Sequence, residues 1–134
     1  MTTELMYLAL TALLASGMWI PFIVGVNLHP SENVDADFRR PRDLQSVPQW
    51  VHRAHRAHLN LIEQLVPMAV LVLLAAQMNV SNTITVWCAA LFFWLRLAHA
   101  IGMISGVARF PLRPMIFVSA WACILVFGWQ ILIA

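Results

Sequence analysis

The sequence predicts an all-α integral membrane protein, a bundle of four transmembrane helices. Two observations carry this prediction. The chain has 134 residues, of which 61% are hydrophobic and only 10% are charged, whereas a soluble domain carries roughly 25% charged residues. Long uncharged, apolar stretches also recur along the chain, near the length of about 20 residues that a helix needs to cross the hydrocarbon core. There is too little polar sequence to cover a water-soluble globule.

The first and last helices are the plainest, and they are predicted at approximately residues 4–28 and 112–134. A cleaved signal peptide does not explain the first stretch, because a basic start is missing and Glu4 stands there instead. Its apolar run, Leu5–Leu28, is also longer than the roughly 7–15 residues of a signal-peptide core. We expect both stretches to span the membrane.

The middle of the chain is uncharged from Gln64 to Leu95 and is interrupted by a polar turn at 77–83. Such a turn splits the stretch into two helices, predicted at approximately 48–79 and 82–108. The second of these should end before Pro111, because proline lacks an amide donor and disfavours helical geometry in the residue before it. Residues 1–134 then form a single membrane domain.

The segment 29–47 is the one predicted long loop, and it carries most of the charge. The first and third connections of a four-span bundle lie on the same side of the membrane, and that side holds five arginines, at positions 39, 40, 42, 109 and 113. Because cytoplasmic loops are enriched in basic residues, loop 29–47 is predicted to be cytoplasmic and both termini non-cytoplasmic.

Polar side chains also occur inside the predicted spans, where each charge costs roughly 2.5–3.5 kcal/mol by insertion scales. At about 100° per residue, Arg53, Arg56, Asn60, Glu63 and Pro67 fall within an arc of about 80° on the second helix. Each arginine alone is explained by snorkelling at a helix end. Together with the amide and the carboxylate, they suit a small polar anion that also carries an ammonium group.

The third helix adds Arg96, His99 and Met103 on one face. At 1.5 Å per residue, Glu63 and Arg96 both lie roughly 20 Å from the arginine-rich side. We therefore expect them to form a structural ion pair between neighbouring helices, an interpretation that competes with a ligand role for Glu63.

Other chemistries find little support in the sequence. His52, His55 and His58 are spread over about 120° of the helix and lack further ligands at zinc-site spacing. Cys88 and Cys123 lie in apolar runs and are interpreted as small buried side chains. A net charge of +2 does not favour a nucleic-acid partner. No metal site is predicted.

The segment from Arg53 to Pro67 matches the pattern R-x-x-R-A-x-x-N-x-x-E-x-x-x-P. It resembles the signature of the MAPEG family (membrane-associated proteins in eicosanoid and glutathione metabolism). Arg96-Leu97-Ala98-His99 and the later Arg109-Phe110-Pro111-Leu112-Arg113 are similar to the third helix and following turn of its microsomal glutathione transferase and microsomal prostaglandin E synthase branches. Size and layout agree over nearly the whole chain.

The resemblance implies a homotrimer in the lipid membrane that binds glutathione as co-substrate between adjacent subunits, near the cytoplasmic side. It implies a glutathione-dependent transferase or peroxidase acting on lipophilic electrophiles. Arg113 matches the arginine that stabilises the glutathione thiolate. The residues expected to contact or frame glutathione are Arg53, Arg56, His58, Asn60, Glu63 and His99.

The chain departs from the family pattern at several positions. Met103 and Phe117 stand where tyrosines are expected, and the arginine expected at the end of the first helix is absent near Asn27 and His29. Two alternatives therefore remain beside the enzyme: a non-catalytic glutathione- or lipid-binding membrane protein, and a structural membrane subunit whose buried charges serve packing.

Overall fold

A computed structural model describes residues 1–30 and 44–134, and the described chain is all-helical. The predicted loop arginines at 39, 40 and 42 lie outside the described residues. A 3-10 turn spans Leu44–Ser46. The five α-helices of the described residues are α1, Thr3–Gly17; α2, Trp19–Leu28; α3, Gln49–Gln77; α4, Thr83–Ser105; and α5, Leu112–Leu132.

These helices make four stretches long and apolar enough to cross a membrane within the described residues. The first is Thr3–Leu28, which combines α1 and α2, and the others are α3, α4 and α5. The spans alternate in direction, so the bundle has two ends. The Glu4 end holds both termini and the α3–α4 turn, and the arginine end holds Gln49, Ser105 and Leu112. The all-helical, four-span architecture agrees with the sequence prediction.

The first span is interrupted at Met18, between α1 and α2. Pro21 explains the position of the break. A proline has no amide hydrogen for the carbonyl four residues earlier, and its ring clashes with that carbonyl. The carbonyl in question belongs to Gly17, the last residue of α1.

The inside of the bundle is lined by one face of α3, with buried residues that recur at helical spacing: Val51, Ala54, Ala57, Leu61, Gln64, Met68, Val72 and Ala75. Phe92 of α4 and Phe127 of α5 are 1% and 0% exposed and pack in the same core. Large apolar side chains such as Trp87, Trp94 and Trp121 are instead exposed. Apolar groups facing outward are what a bilayer favours, since lipid tails replace water around them.

At the Glu4 end, α3 and α4 are joined by a tight turn. Asn79 adopts a positive φ of 56°, a conformation that asparagine tolerates better than most residues. Asn82 then caps α4: its side chain accepts hydrogen bonds from the amides of Ile84 and Thr85, and the Thr85 hydroxyl accepts one from the Asn82 amide. These bonds satisfy amides that the helix itself leaves unpaired.

At the arginine end, α4 ends at Ser105, earlier than the predicted limit near residue 108. Gly106 follows with a φ of 80°, the left-handed conformation in which glycine commonly terminates helices. A glycine next to the end of an apolar run is itself a stop signal. The proline two residues after Arg109 is therefore not what ends this helix.

Candidate functional site

Two adjoining cavities open at the arginine end of the bundle. The polar cavity has a volume of about 400 Å³. It is lined by residues of α3, the end of α4, the α4–α5 connection and the start of α5: Gln49, His52, Arg53, Arg56, Met103, Ser105, Gly106, Ala108, Arg109 and Arg113. The apolar cavity has a volume of about 490 Å³, lined by Asn60, His99, Ala108, Arg109, Phe110, Arg113, Pro114, Phe117 and Val118. Ala108, Arg109 and Arg113 belong to both linings.

The α4–α5 connection builds the shared wall. The Ala108 amide donates to the Gly102 carbonyl at 2.9 Å, which folds the connection back onto α4. A β-carbon on Gly102 would lie 2.8 Å from that of Ala108, so the close approach depends on glycine. The Arg113 amide then donates to the Arg109 carbonyl at 2.9 Å. This local geometry brings both arginines to the boundary between the cavities.

Arg53 lines the polar cavity and also closes the end of α4. Its Nε donates to the Met103 carbonyl at 3.0 Å and its Nη2 to the Ile104 carbonyl at 3.4 Å. The last carbonyls of a helix have no intrahelical partner and carry partial negative charge, so a guanidinium there stabilises the helix end. Part of the Arg53 hydrogen-bonding capacity is thus used within the protein.

Arg96 lies at the centre of the bundle and is 1% exposed. Its Nη1 donates to Gln64 Oε1 at 2.9 Å and its Nη2 to the Asn60 carbonyl at 2.7 Å. Gln64 in turn donates to the Phe117 carbonyl at 3.5 Å, and the Arg96 guanidinium lies 5.6 Å from the centre of the Phe117 ring. We call this set the Arg96 network. It joins α3, α4 and α5 beneath the apolar cavity.

The expected ion pair between Glu63 and Arg96 is not formed within the described chain, because Gln64 takes the inward position. Residues 57, 61, 64 and 68 form the buried stripe of α3, whereas Glu63 is exposed on an outer face. Glu63 acts on Arg96 through a longer-range electrostatic interaction without contact. Matching depth along the helices placed the two charges at one level but did not fix their directions.

The other expected site residues separate into two groups. Arg56 lines the polar cavity, Asn60 and His99 line the apolar cavity, and Arg113 lines both. His99 is 1% exposed, and its Nε2 has no hydrogen-bond partner among the described residues. His58 lies instead in a cavity beside α1, lined by Ala12, Ala15, Ser16, Trp19, His58, Ile62 and Leu65. Glu63 and His58 thus lie outside both cavities of the arginine end.

Three residues of the site region escaped the sequence analysis as functional residues: Arg109, Gln64 and Phe117. Arg109 had a signal, since it begins the R-x-P-x-R turn that contains Arg113. Gln64 also had one, because it continues the helical stripe of Ala57 and Leu61. Phe117 replaces an expected tyrosine in the sequence, but its contact with Arg96 depends on how three helices pack.

The arrangement limits which chemistry the site can perform. Within residues 1–30 and 44–134, no group of three or more His, Cys, Asp or Glu side chains is placed to hold a metal ion. The polar cavity instead presents several guanidinium groups, which bind carboxylates and other anions. The apolar cavity next to it suits a lipophilic molecule, and both volumes fall in the range of roughly 300–1,000 Å³ of small-molecule sites.

Comparison with known proteins agrees with this architecture. The chain matches the MAPEG family over residues 5–133, nearly its whole length. No curated protein and no solved structure matches it. Members of the family include glutathione transferases and related membrane proteins, among them non-enzymes. On the strength of the family match and the four spans, this integral, multi-pass membrane protein belongs to the MAPEG family.

Proposed function

We propose that this chain is a membrane-bound, glutathione-dependent transferase or peroxidase that acts on lipophilic electrophiles. The observation that carries the proposal is the shared wall of Arg109 and Arg113 between a polar and an apolar cavity. A reaction between a charged tripeptide and an apolar electrophile needs both environments, with positive charge where they meet.

Glutathione carries two carboxylates, one ammonium group and a thiol. The polar cavity offers Arg53, Arg56, Arg109 and Arg113, and a guanidinium can bind a carboxylate through two parallel hydrogen bonds. Arg56 is exposed and available for such a bond, whereas Arg53 keeps part of its capacity for the end of α4. In this proposal the thiol lies toward Arg113 and the apolar cavity.

The thiol must ionise to react, since the thiolate is the nucleophile. Lowering its pKa by two units from about 8.5 requires roughly 2.7 kcal/mol. One guanidinium about 4 Å from the sulfur supplies on the order of 4 kcal/mol at an effective dielectric constant of 20. Arg113 is therefore sufficient in principle. In the transferase reaction the thiolate sulfur bonds to the electrophilic carbon, and the leaving group departs with its bonding electron pair.

Glu63 motivates the second part of the proposal, a homotrimer. This carboxylate is exposed on α3, and a charge facing lipid well inside the bilayer costs roughly 2.5–3.5 kcal/mol. A neighbouring subunit would remove that cost and would let Glu63 and His58 contribute to glutathione bound between subunits.

The proposal also places both termini on the non-cytoplasmic side of the membrane. Labelling of a cysteine introduced at Ala134 with an impermeant reagent in intact cells would test this orientation.

The test uses purified protein and glutathione, with thiolate formation followed by ultraviolet absorbance near neutral pH. Arg113→Ala should abolish the thiolate signal and lower turnover with aryl halides and lipid hydroperoxides. Glutathione binding should persist, because Arg53 and Arg56 remain. Arg113→Lys separates a specific guanidinium from a general positive anchor, since lysine would replace the anchor equally well.

Arg109→Ala is the matched control, because Arg109 lines the same two cavities. Loss of the thiolate in Arg109→Ala but not in Arg113→Ala would assign the role to Arg109. Full thiolate formation in both variants would contradict the proposal.

A second candidate function is that of a non-catalytic binding protein. It is favoured by the lack of any hydroxyl group among the described residues that line the apolar cavity. That reading applies if the unmodified protein binds glutathione without ionising it.

A further inference from the structure

The Glu4 end of the bundle holds a buried carboxylate that the proposed function does not use. Glu4 lies in the first turn of α1 and is only 3% exposed. Its Oε1 accepts hydrogen bonds from the Ser81 hydroxyl at 2.8 Å and the Thr85 hydroxyl at 2.7 Å. Its Oε2 is buried and has no partner among the described residues. A buried carboxylate oxygen without a donor is destabilising, because it has lost its hydrogen bonds to water and gained none in the protein.

A cavity of about 230 Å³ adjoins this carboxylate. Part of its lining is polar, formed by Thr2, Glu4, Asn79 and Ser81, and the remainder is apolar: Val72, Ala75, Ala76 and Val80. The cavity lies where the spans reach the membrane surface, at the opposite end from the two arginine-lined cavities. It therefore combines a buried acceptor, further side-chain oxygens and an apolar floor.

The hydrogen bonds that give Glu4 a structural role involve only one of its two carboxylate oxygens, Oε1. A negative charge in the first turn is favoured by the helix dipole, and the bonds from Ser81 and Thr85 tie α1 to the start of α4. Both roles are served through Oε1 and the charge, and neither gives Oε2 a partner among the described residues. Among the described residues that line this cavity there is no arginine, lysine or histidine.

We propose that this cavity binds a primary ammonium group carried on a short apolar chain, such as an ethanolamine group. The ammonium donates one hydrogen bond to the Glu4 carboxylate, and Thr2 and Asn79, whose side chains carry oxygens, belong to the same lining. The methylene groups rest on Ala76 and Val80. A trimethylammonium group has no hydrogen to donate, so the site discriminates between the two headgroups.

The experiment measures phospholipids retained by the purified protein, by native mass spectrometry after exposure to equal amounts of ethanolamine and choline phospholipids with the same acyl chains. The unmodified protein should retain the ethanolamine lipid preferentially, by about tenfold or more, as expected for one charge-assisted hydrogen bond. Glu4→Gln should abolish the preference while keeping an oxygen that accepts from Ser81 and Thr85. Glu63→Gln, which makes the same change in charge on another helix face, should leave it intact.

Ala76→Leu provides a second variant in case Glu4→Gln does not fold, because it fills the cavity and leaves the carboxylate in place. It should also abolish the preference. Free ethanolamine identifies the source of the ammonium group: displacement of the lipid at millimolar concentration indicates a site for soluble amines, and resistance indicates a lipid headgroup site. Equal retention of both lipids by the unmodified protein, or an unchanged preference in Glu4→Gln or Ala76→Leu, would overturn the proposal.

Discussion

The Arg96 network and the two cavities at the arginine end both contain an arginine, but the two arginines differ in what their N–H groups contact. The Arg96 guanidinium is buried and donates to Gln64 and to the Asn60 carbonyl. Arg113 is half-buried and lines both cavities. In the described residues the structure gives hydrogen bonds to Arg96 and none to the Arg113 guanidinium. Both Nη atoms of Arg96 donate inside the protein, and only its buried Nε has no partner among the described residues. The Arg113 guanidinium has its donors available to a ligand.

This difference separates a structural charge from the binding charge that we propose better than position in the sequence does. Both arginines belong to the family-like motifs, and both lie in or next to predicted spans. What distinguishes them is where their N–H groups donate, since hydrogen bonds within the protein offset the cost of burying a charge. A cation whose donors face a cavity retains electrostatic energy for an anion that enters.

The largest expected effect is on stability, and it should fall on Arg96. Arg96→Gln removes two hydrogen bonds from a charged donor, each contributing roughly 1.5–3 kcal/mol, so the free energy of unfolding should drop by on the order of 3 kcal/mol. Arg113→Ala should change it by less than about 0.5 kcal/mol, as for substitutions without internal partners. Unfolding titrations in mixed micelles would measure both. Equal losses of unfolding free energy in the two variants would show that Arg96 and Arg113 do not differ in structural importance.

A double-mutant cycle sharpens the comparison by asking which neighbour Arg96 recognises. Gln64 and Arg96 should be coupled by about 1–2 kcal/mol, because the residues are in direct contact. Glu63 and Arg96 should be nearly additive, within roughly 0.5 kcal/mol, since they interact without contact. The variants are Gln64→Leu, Glu63→Gln and Arg96→Gln, singly and in pairs. A larger coupling for Glu63 would restore the ion pair that the sequence predicts.

Glu63 and Gln64 also show which features of the structure can be predicted from the sequence and which cannot. The four spans could be predicted because the lengths of apolar runs are set by the thickness of the bilayer. The depth of Glu63 could be estimated from the rise per residue, yet adjacent helical residues point about 100° apart. Which of the two faces Arg96 depends on the rotation of α3 in the bundle. That rotation follows from packing among α3, α4 and α5 rather than from local pattern.

The residues of the arginine end illustrate the same limit. The motif placed Arg53, Arg56, Asn60, His99 and Arg113 near one another, and each of them lines at least one of the two cavities. The bonds from Arg53 to the Met103 and Ile104 carbonyls could not be predicted, because their acceptors lie 50 and 51 residues along the chain. Local propensity indicates a helix end at Gly106 but does not say which side chain covers it.

A further effect, similar in size to the coupling of Gln64 and Arg96, concerns this covering of the helix end, and it links the structural and binding roles of Arg53. Gly106 has a φ of 80°, and a β-carbon there would lie 3.2 Å from Nη2 of Arg53. Gly106→Ala should therefore lower the free energy of unfolding by about 1–2 kcal/mol, the cost of a left-handed alanine. Gly17→Ala is the matched control, because an added β-carbon there meets nothing within 4 Å, and it should be neutral or slightly stabilising.

The two glycine variants also report on function. Because the new methyl group presses on the Arg53 guanidinium, Gly106→Ala should displace it in the polar cavity. Under the proposed function, glutathione binding should then weaken several-fold, and the ionised fraction of bound glutathione should stay the same if Arg113 stabilises the thiolate. Calorimetric titration and thiolate absorbance would separate the two quantities. Unchanged affinity in a destabilised Gly106→Ala protein would show that Arg53 serves the end of α4 alone, and the binding of carboxylates would then rest on Arg56 and Arg109.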